Sequence, residues 1–141
     1  MNYLLDTRVI SEWTKQRPDP GVVAWLAGTD EERVVISVIT FAELCHGIER
    51  LPVGARRDRL DSWLSNELPS RFEARILPTD QETANCWGKI MARGQAAGWP
   101  VSVMDAFIAA IAGRHDLTLV TRNFSDFEAL DLQLINPWET G

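Results

Sequence analysis

The chain has 141 residues, 45% hydrophobic and 24% charged, which suits a single globular domain over residues 1–141 and excludes a disordered or low-complexity polymer. A net charge of −6 argues against a general nucleic-acid coat, yet leaves room for a carboxylate-rich nuclease that works with a divalent cation. Cys45, Cys86, His46 and His115 have neither zinc-ligand spacing nor a triad pattern, and the two cysteines read as small buried apolar residues.

Met1 to Asp6 lacks the basic start and long apolar run of a signal peptide. The longest apolar stretch, around Val101 to Ala112, is interrupted by Ser102 and Asp105 and is too short to span a bilayer. The expectation is a cytoplasmic protein with no membrane association.

In chain order, Tyr3-Leu4-Leu5 reads as a short buried strand, followed by a helical segment from about Thr7 to Trp13. Pro18-Asp19-Pro20-Gly21 reads as a turn, after which Val22, Val23, Trp25 and Leu26 have the spacing of one helix face. Arg33 to Ser37 is a second strand, running into a helix through Phe41, Leu44, Ile48 and Leu51 that Pro52 and Gly54 break. An amphipathic helix with Leu60, Trp63, Leu64 and Leu68 on one side is expected to end at Pro69. Arg75-Ile76-Leu77 is a third strand. Thr79 and Glu82 have the form of a capping box for a helix that Gly98 and Pro100 terminate. Ser102 opens a helix that is apolar almost all round and therefore buried. Leu117 to Val120 and Leu132 to Ile135 supply the last two strands.

Strands alternating with helices predict an α/β fold: a mainly parallel sheet of about four to five strands with helices on both faces. In such sheets ligands bind beyond the carboxyl ends of the strands. There the sequence places acids. Asp6 follows the first strand, Glu43 lies early in the helix after the second, Asp105 lies in the first turn of the buried helix, and Asp126 follows the fourth strand.

Singly, each acid is accounted for by helix capping, since Thr40 to Glu43, Ser102 to Asp105 and Ser125 to Glu128 all pair a hydroxyl with an acid three residues on. Asp105 resists that account, because an ionised carboxylate among Val103, Met104, Ala106, Phe107 and Ile108 needs a cation or several donors. Together the acids have the chemistry to hold Mg²⁺ or Mn²⁺, hard cations that take oxygen ligands, beside a phosphodiester. An acidic pocket of this kind also fits a phosphoacceptor domain, although no lysine behind a late strand supports that use. Arg50, Arg56, Arg57 and Arg59 form a basic patch that reads either as a solvated helix face or as a track for RNA backbone. Trp25, Trp63 and Trp87 fall on apolar helix faces, whereas Trp99 and Trp138 lie near prolines and are the better candidates for partner contact.

The sequence blocks also resemble a known family. Leu4-Leu5-Asp6-Thr7, Val9-Ile10-Ser11-Glu12, Ser37 to Thr40 with Ala42-Glu43-Leu44, Met104-Asp105-Ala106 and Leu119 to Asn123 with Asp126-Phe127 are similar, in this order, to PIN-domain toxins of the VapC/FitB branch. So is the ending Ile135-Asn136-Pro137-Trp138. The resemblance implies a PIN-like fold and a Mg²⁺- or Mn²⁺-dependent endoribonuclease acting as the toxin of a toxin–antitoxin pair. It further implies a homodimer, an RNA substrate, and a VapB-like antitoxin that covers the site and contacts operator DNA through its own domain.

By the same resemblance Asp6, Glu43 and Asp105 are the acidic triad. The fourth position falls at Asn123 or at Asp126, with Asp126 favoured as an outer ligand. Thr7, Arg8, Arg122 and Asn123 are the expected RNA-contacting or site-modulating residues. Arg8 departs from the pattern, because relatives commonly carry Asn there. A guanidinium at that position can pair with an acid, compete with the cation, meet an RNA phosphate or turn to solvent. The catalytically weakened alternative is a PIN-type binding module that dimerises and engages an antitoxin with Arg8 in its site.

Overall fold

The fold is built outward from one short apolar strand. In the computed structural model, which describes residues 2–99 and 101–139, β1 (Tyr3–Leu5) lies at the centre of a five-stranded sheet. The helices α1 (Thr7–Glu12) and α2 (Pro20–Ala27) lead to β2 (Val34–Ser37), which continues directly into α3 (Val38–Glu49). α4 (Ala55–Ser62), a π-helical turn over Trp63–Glu67 and α5 (Leu68–Phe72) precede β3 (Ile76–Leu77). Then come α6 (Gln81–Ala97), α7 (Val103–Arg114), β4 (Thr118–Val120), α8 (Phe124–Phe127) and β5 (Leu134–Ile135).

The strand order is β3-β2-β1-β4-β5 and every pairing is parallel, with Leu4 opposite both Val35 and Leu119. Side chains alternate across the sheet, as the two-residue period of a strand requires. Leu4, Val35 and Leu119 enter one core with Ile90, Ala106, Ile108, Ile111 and Phe127, from α6, α7 and α8. Leu5, Ile36 and Val120 enter the other with Val9, Ile10, Ile48, Leu68 and Phe72, from α1, α3 and α5. Both faces are therefore covered by helices, which is why the strands are apolar at consecutive positions. Among the described residues no helix is long and apolar enough to cross a membrane.

Several local expectations are corrected. The segment read as a turn at Pro18 to Gly21 already contains the start of α2: Asp19 accepts the Val22 N–H at 3.1 Å, and Pro20 takes the first-turn place where its missing N–H costs nothing. Pro69 does not end a helix. It sits in the first turn of α5, and the chain stays helical from α4 through the π-helical turn. The cap of α6 is Asp80, whose carboxylate accepts the Thr83 N–H at 2.8 Å, while Glu82 pairs with Arg114 at 2.7 Å and makes no capping box with Thr79. Gly98 ends α6 in the left-handed conformation, with φ 75°, as expected; Pro100 lies outside the described residues. Cys45 is exposed and Cys86 half-buried, so neither is the buried apolar residue expected.

This topology fixes where a site can form. After β1 the chain moves out through β2 to β3, then crosses back to lay β4 on the other side of β1. The crevice at that reversal, above the carboxyl ends of β1 and β4, is the natural ligand position of an open parallel sheet. Asp6 and Thr121 are the residues that stand there.

Candidate active site

Asp6 is the best-held acid in the site. Its backbone N–H extends the sheet by donating to the Val120 carbonyl at 2.9 Å, and its side chain is 1% exposed. One carboxylate oxygen accepts the Thr7 N–H at 2.8 Å, capping α1. The other accepts the Thr121 hydroxyl at 2.8 Å and the Arg8 guanidinium at 3.0 Å. A carboxylate this deep needs such donors to remain charged. Capping is therefore a real part of what Asp6 does, but it uses only one of the two oxygens.

α3 presents Glu43 to the same place. Its Oε1 accepts the Thr7 hydroxyl at 2.6 Å, and the Thr7 and Thr40 hydroxyls lie 3.0 Å apart, so α1 and α3 are stitched together at the mouth of the crevice. Neither Thr40 nor Ser37 makes the α3 cap that the Thr40–Glu43 spacing suggested: Thr40 lies inside the helix, and Ser37, the N-cap residue, makes no side-chain cap hydrogen bond.

α7 brings Asp105. Ser102 caps this helix by accepting the Asp105 N–H at 3.1 Å, as expected, and its hydroxyl also interacts with the Asp105 carboxyl. Burial, then the negative charge of Asp6, pushes the Asp105 carboxyl up to about 6; Arg8 and Ser102 oppose the rise, and a hydrogen bond with the Asp126 carboxyl adds to it. Asp126 is held in turn by the side-chain amide of Asn123, whose own N–H donates to the Thr121 hydroxyl at 3.0 Å. Asn123 and Asp126 therefore stand together beside Asp105, with the Asn123 side-chain amide donating to Asp126.

Arg8 is inside this acidic environment, not turned away from it. Partial burial works against its charge, but Asp6, through charge and hydrogen bond, and then Asp105 and Glu43 raise its pKa above the ordinary value. The side chain keeps about half of its surface exposed while it pairs with Asp6. Arg122 does not join the acids; it is exposed, with its guanidinium 5.5 Å from the centre of the Trp138 ring.

The donor set is uniformly carboxylate oxygen, which suits a hard divalent cation, and burial, then the charge of Asp6, raises the Asp105 carboxyl. Among the described residues no three acids, histidines or cysteines are drawn into a ready metal-holding group. The positive charge beside Asp6 is that of Arg8.

The sequence pattern of the PIN domain matches residues 3–131 of this chain. The chain is a member of the PIN-domain family. It is 38% identical over 136 residues to the VapC ribonuclease Y4jK of Sinorhizobium fredii, covering 96% of this chain and 97% of the relative. It is 38% identical over 135 residues to Toxin FitB of Neisseria gonorrhoeae, covering 96% and 97%. A chain in the solved structure of FitAB bound to IR36 DNA fragment superimposes with a TM-score of 0.90 at 35% identity, covering 99% of this chain and 97% of that one.

In this PIN domain two contributors to the crevice escaped the sequence reading. Thr121 is fully buried and is both a donor to Asp6 and an acceptor for Asn123; Thr40 is fully buried against Thr7. Thr121 carried one usable signal, its position directly after a strand at the sheet's carboxyl edge.

Proposed function

We propose that this PIN domain is a metal-dependent endoribonuclease and the toxin of a toxin–antitoxin pair in the cytoplasm, with Asp6, Glu43, Asp105 and Asp126 as its catalytic acids. The observation that carries the reading is that Asp6, Asp105 and Glu43, from separate parts of the chain, all act on the Arg8 guanidinium at the crevice of the β1–β4 reversal, with Asp126 hydrogen-bonded to Asp105. The names of the similar proteins, a ribonuclease, a toxin and an assembly on DNA, support the substrate and partner classes. By that similarity the expected partners are an antitoxin of the VapB or FitA kind, which would bring operator DNA, and a second copy of this chain.

Asp6, Glu43 and Asp105, with Asp126 outermost, would hold Mg²⁺ or Mn²⁺. The ion supplies Lewis-acid neutralisation of the charge that develops on a phosphodiester under attack by water. The chain's own residues prepare for that. Thr7 and Thr121 fix the two Asp6 oxygens, and the Thr7 hydroxyl also orients Glu43. Burial and the charge of Asp6 favour a protonated Asp105 carboxyl in the metal-free chain, and Asp126 is hydrogen-bonded to it. The partly exposed Arg8 guanidinium stands where an incoming phosphate can displace Asp6 as its partner, since it matches either anion.

The test is incubation of a mixed tRNA and rRNA pool with antitoxin-free protein in Mn²⁺ or Mg²⁺, and again with chelator. Discrete fragments that chelator abolishes are the expected result; intact RNA in every condition, or cleavage indifferent to chelator, would contradict it. A second reading, a weakened binding module, rests on the Arg8–Asp6 ion pair. It predicts partner binding without cleavage.

A further inference from the structure

On its α1–α3 side the acidic site opens into a groove to which nothing above gives a role. A cleft of about 260 Å³ begins at Thr7 and Glu43 and extends to Arg56, Leu60 and Trp63. A second cleft, of about 640 Å³, shares Ser11, Thr14, Arg56 and Leu60 with the first and continues past Lys15 and Arg59. The two make one path from the Thr7–Glu43 hydrogen bond to three cationic side chains.

The helical period of α4 sorts its charges. At 100° per residue Arg56, Arg59 and Leu60 share one face, whereas Asp58 and Asp61 step round to the other. Arg57 is engaged by Glu49 at 2.6 Å and by the Leu51 carbonyl at 3.3 Å. Lys15 is paired with Glu12. The side chains of Arg56 and Arg59 make no hydrogen bond, ion pair or ring contact among the described residues. Two uncommitted guanidiniums on one wall of a cleft that leads to the acids are unexpected in a chain of net charge −6. Over such a chain they form a local region of attraction for a polyanion.

We propose that this groove binds the single-stranded RNA flanking the cleaved bond, with Arg56 and Arg59 on its phosphates. The inference rests on the ribonuclease reading of the acidic site. A single strand fits because the groove joins backbone-seeking charge to an apolar wall of Leu44, Ile48 and Trp63, against which base faces can lie. A duplex shields its bases and is held by a broad basic surface, which a chain of net charge −6 suits poorly. The basic patch visible in the sequence thereby divides: Arg56 and Arg59 belong to the groove, and Arg57 to a surface ion pair.

The test compares wild type with an Arg56→Ala/Arg59→Ala variant, with Arg50→Ala as an exposed control outside the groove. The probe is a fluorescein-labelled single-stranded RNA of mixed sequence, titrated by anisotropy at several salt concentrations and then cleaved in Mn²⁺. Circular dichroism checks that the variants are folded. The double variant is expected to bind roughly 10- to 100-fold more weakly, with its log–log salt slope reduced by about 1.4, near 0.7 for each lost phosphate contact. Its KM rises while kcat for bound RNA is kept. Unchanged affinity and salt slope in a wild type that cleaves RNA would overturn the groove alone and leave this face to a protein partner. A fall in kcat at constant KM would overturn it too. A wild type that neither binds nor cleaves RNA would overturn the ribonuclease reading beneath it.

Discussion

Replacing Asp105 by Asn is expected to lower metal-dependent RNA cleavage by about 100-fold or more, while the metal-free protein at pH 7 keeps its fold with no loss of stability. Both halves come from the same geometry. Asp105 is buried, faces the charge of Asp6 and is hydrogen-bonded to Asp126, so its carboxyl is pushed up to about 6 from its ordinary 3.8. The folded chain therefore binds an extra proton between those values. The stabilisation that this proton brings is complete below about pH 4 and is lost as the pH rises through about 6.

At neutral pH the charged Asp105 is a strain on the metal-free fold. Asn, neutral at every pH, removes that strain and can still donate to Asp126. Urea unfolding at pH 5 and pH 7, beside a cleavage assay, measures both effects. Wild type is expected to lose stability over that interval more steeply than Asp105→Asn. Undiminished cleavage by the variant would remove Asp105 from the catalytic set, and a destabilised variant would show that its burial is structural.

The second large effect is expected at Arg8. In the metal-free protein this guanidinium lies 3.0 Å from Asp6, and the charges of Asp105 and Glu43 reach it too. A cation entering among these acids must do so against a charge already there. Arg8→Asn should strengthen Mn²⁺ binding by about tenfold or more, a change of 1.4 kcal/mol for each factor of ten. The same change should lower metal-free stability, because the buried Asp6 loses a donor while keeping Thr7 and Thr121. Calorimetric titration with Mn²⁺ separates the two effects. Equal affinity in wild type and variant would mean that Arg8 swings aside at no cost, and would remove the physical basis for a weakened site.

The legible parts of this molecule were those that local sequence determines. Apolar pairs such as Leu4-Leu5 and Val35-Ile36 mark strands buried on both faces, and an acid directly after such a strand is already at the ligand edge. Asp105 stood out because its own helix is apolar on nearly every side. The illegible parts depend on partners distant in the chain. Thr121 meets Asp6 across 115 residues and Thr40 meets Thr7 across 33, and a threonine next to a strand or inside a helix has no sequence mark of such a contact. Arg8 was recognised as a departure, but only the docking of α1 beside α3 and α7 turns its side chain toward the acids. Pro69 misled because a proline both ends one helix and suits the first turn of the next, and the π-helical turn before α5 leaves no break between them.

The central claim is that acids from four parts of the chain form one cation site, and Mn²⁺ titration of the antitoxin-free wild-type protein across pH 5 to 8 tests it most directly. The predicted result is saturable binding that tightens as the pH rises through about 6, because the Asp105 carboxyl must lose its proton to hold a cation, and that is lost in Asp105→Asn. Absence of saturable binding, or binding that neither the pH nor the Asp105 substitution alters, would contradict it.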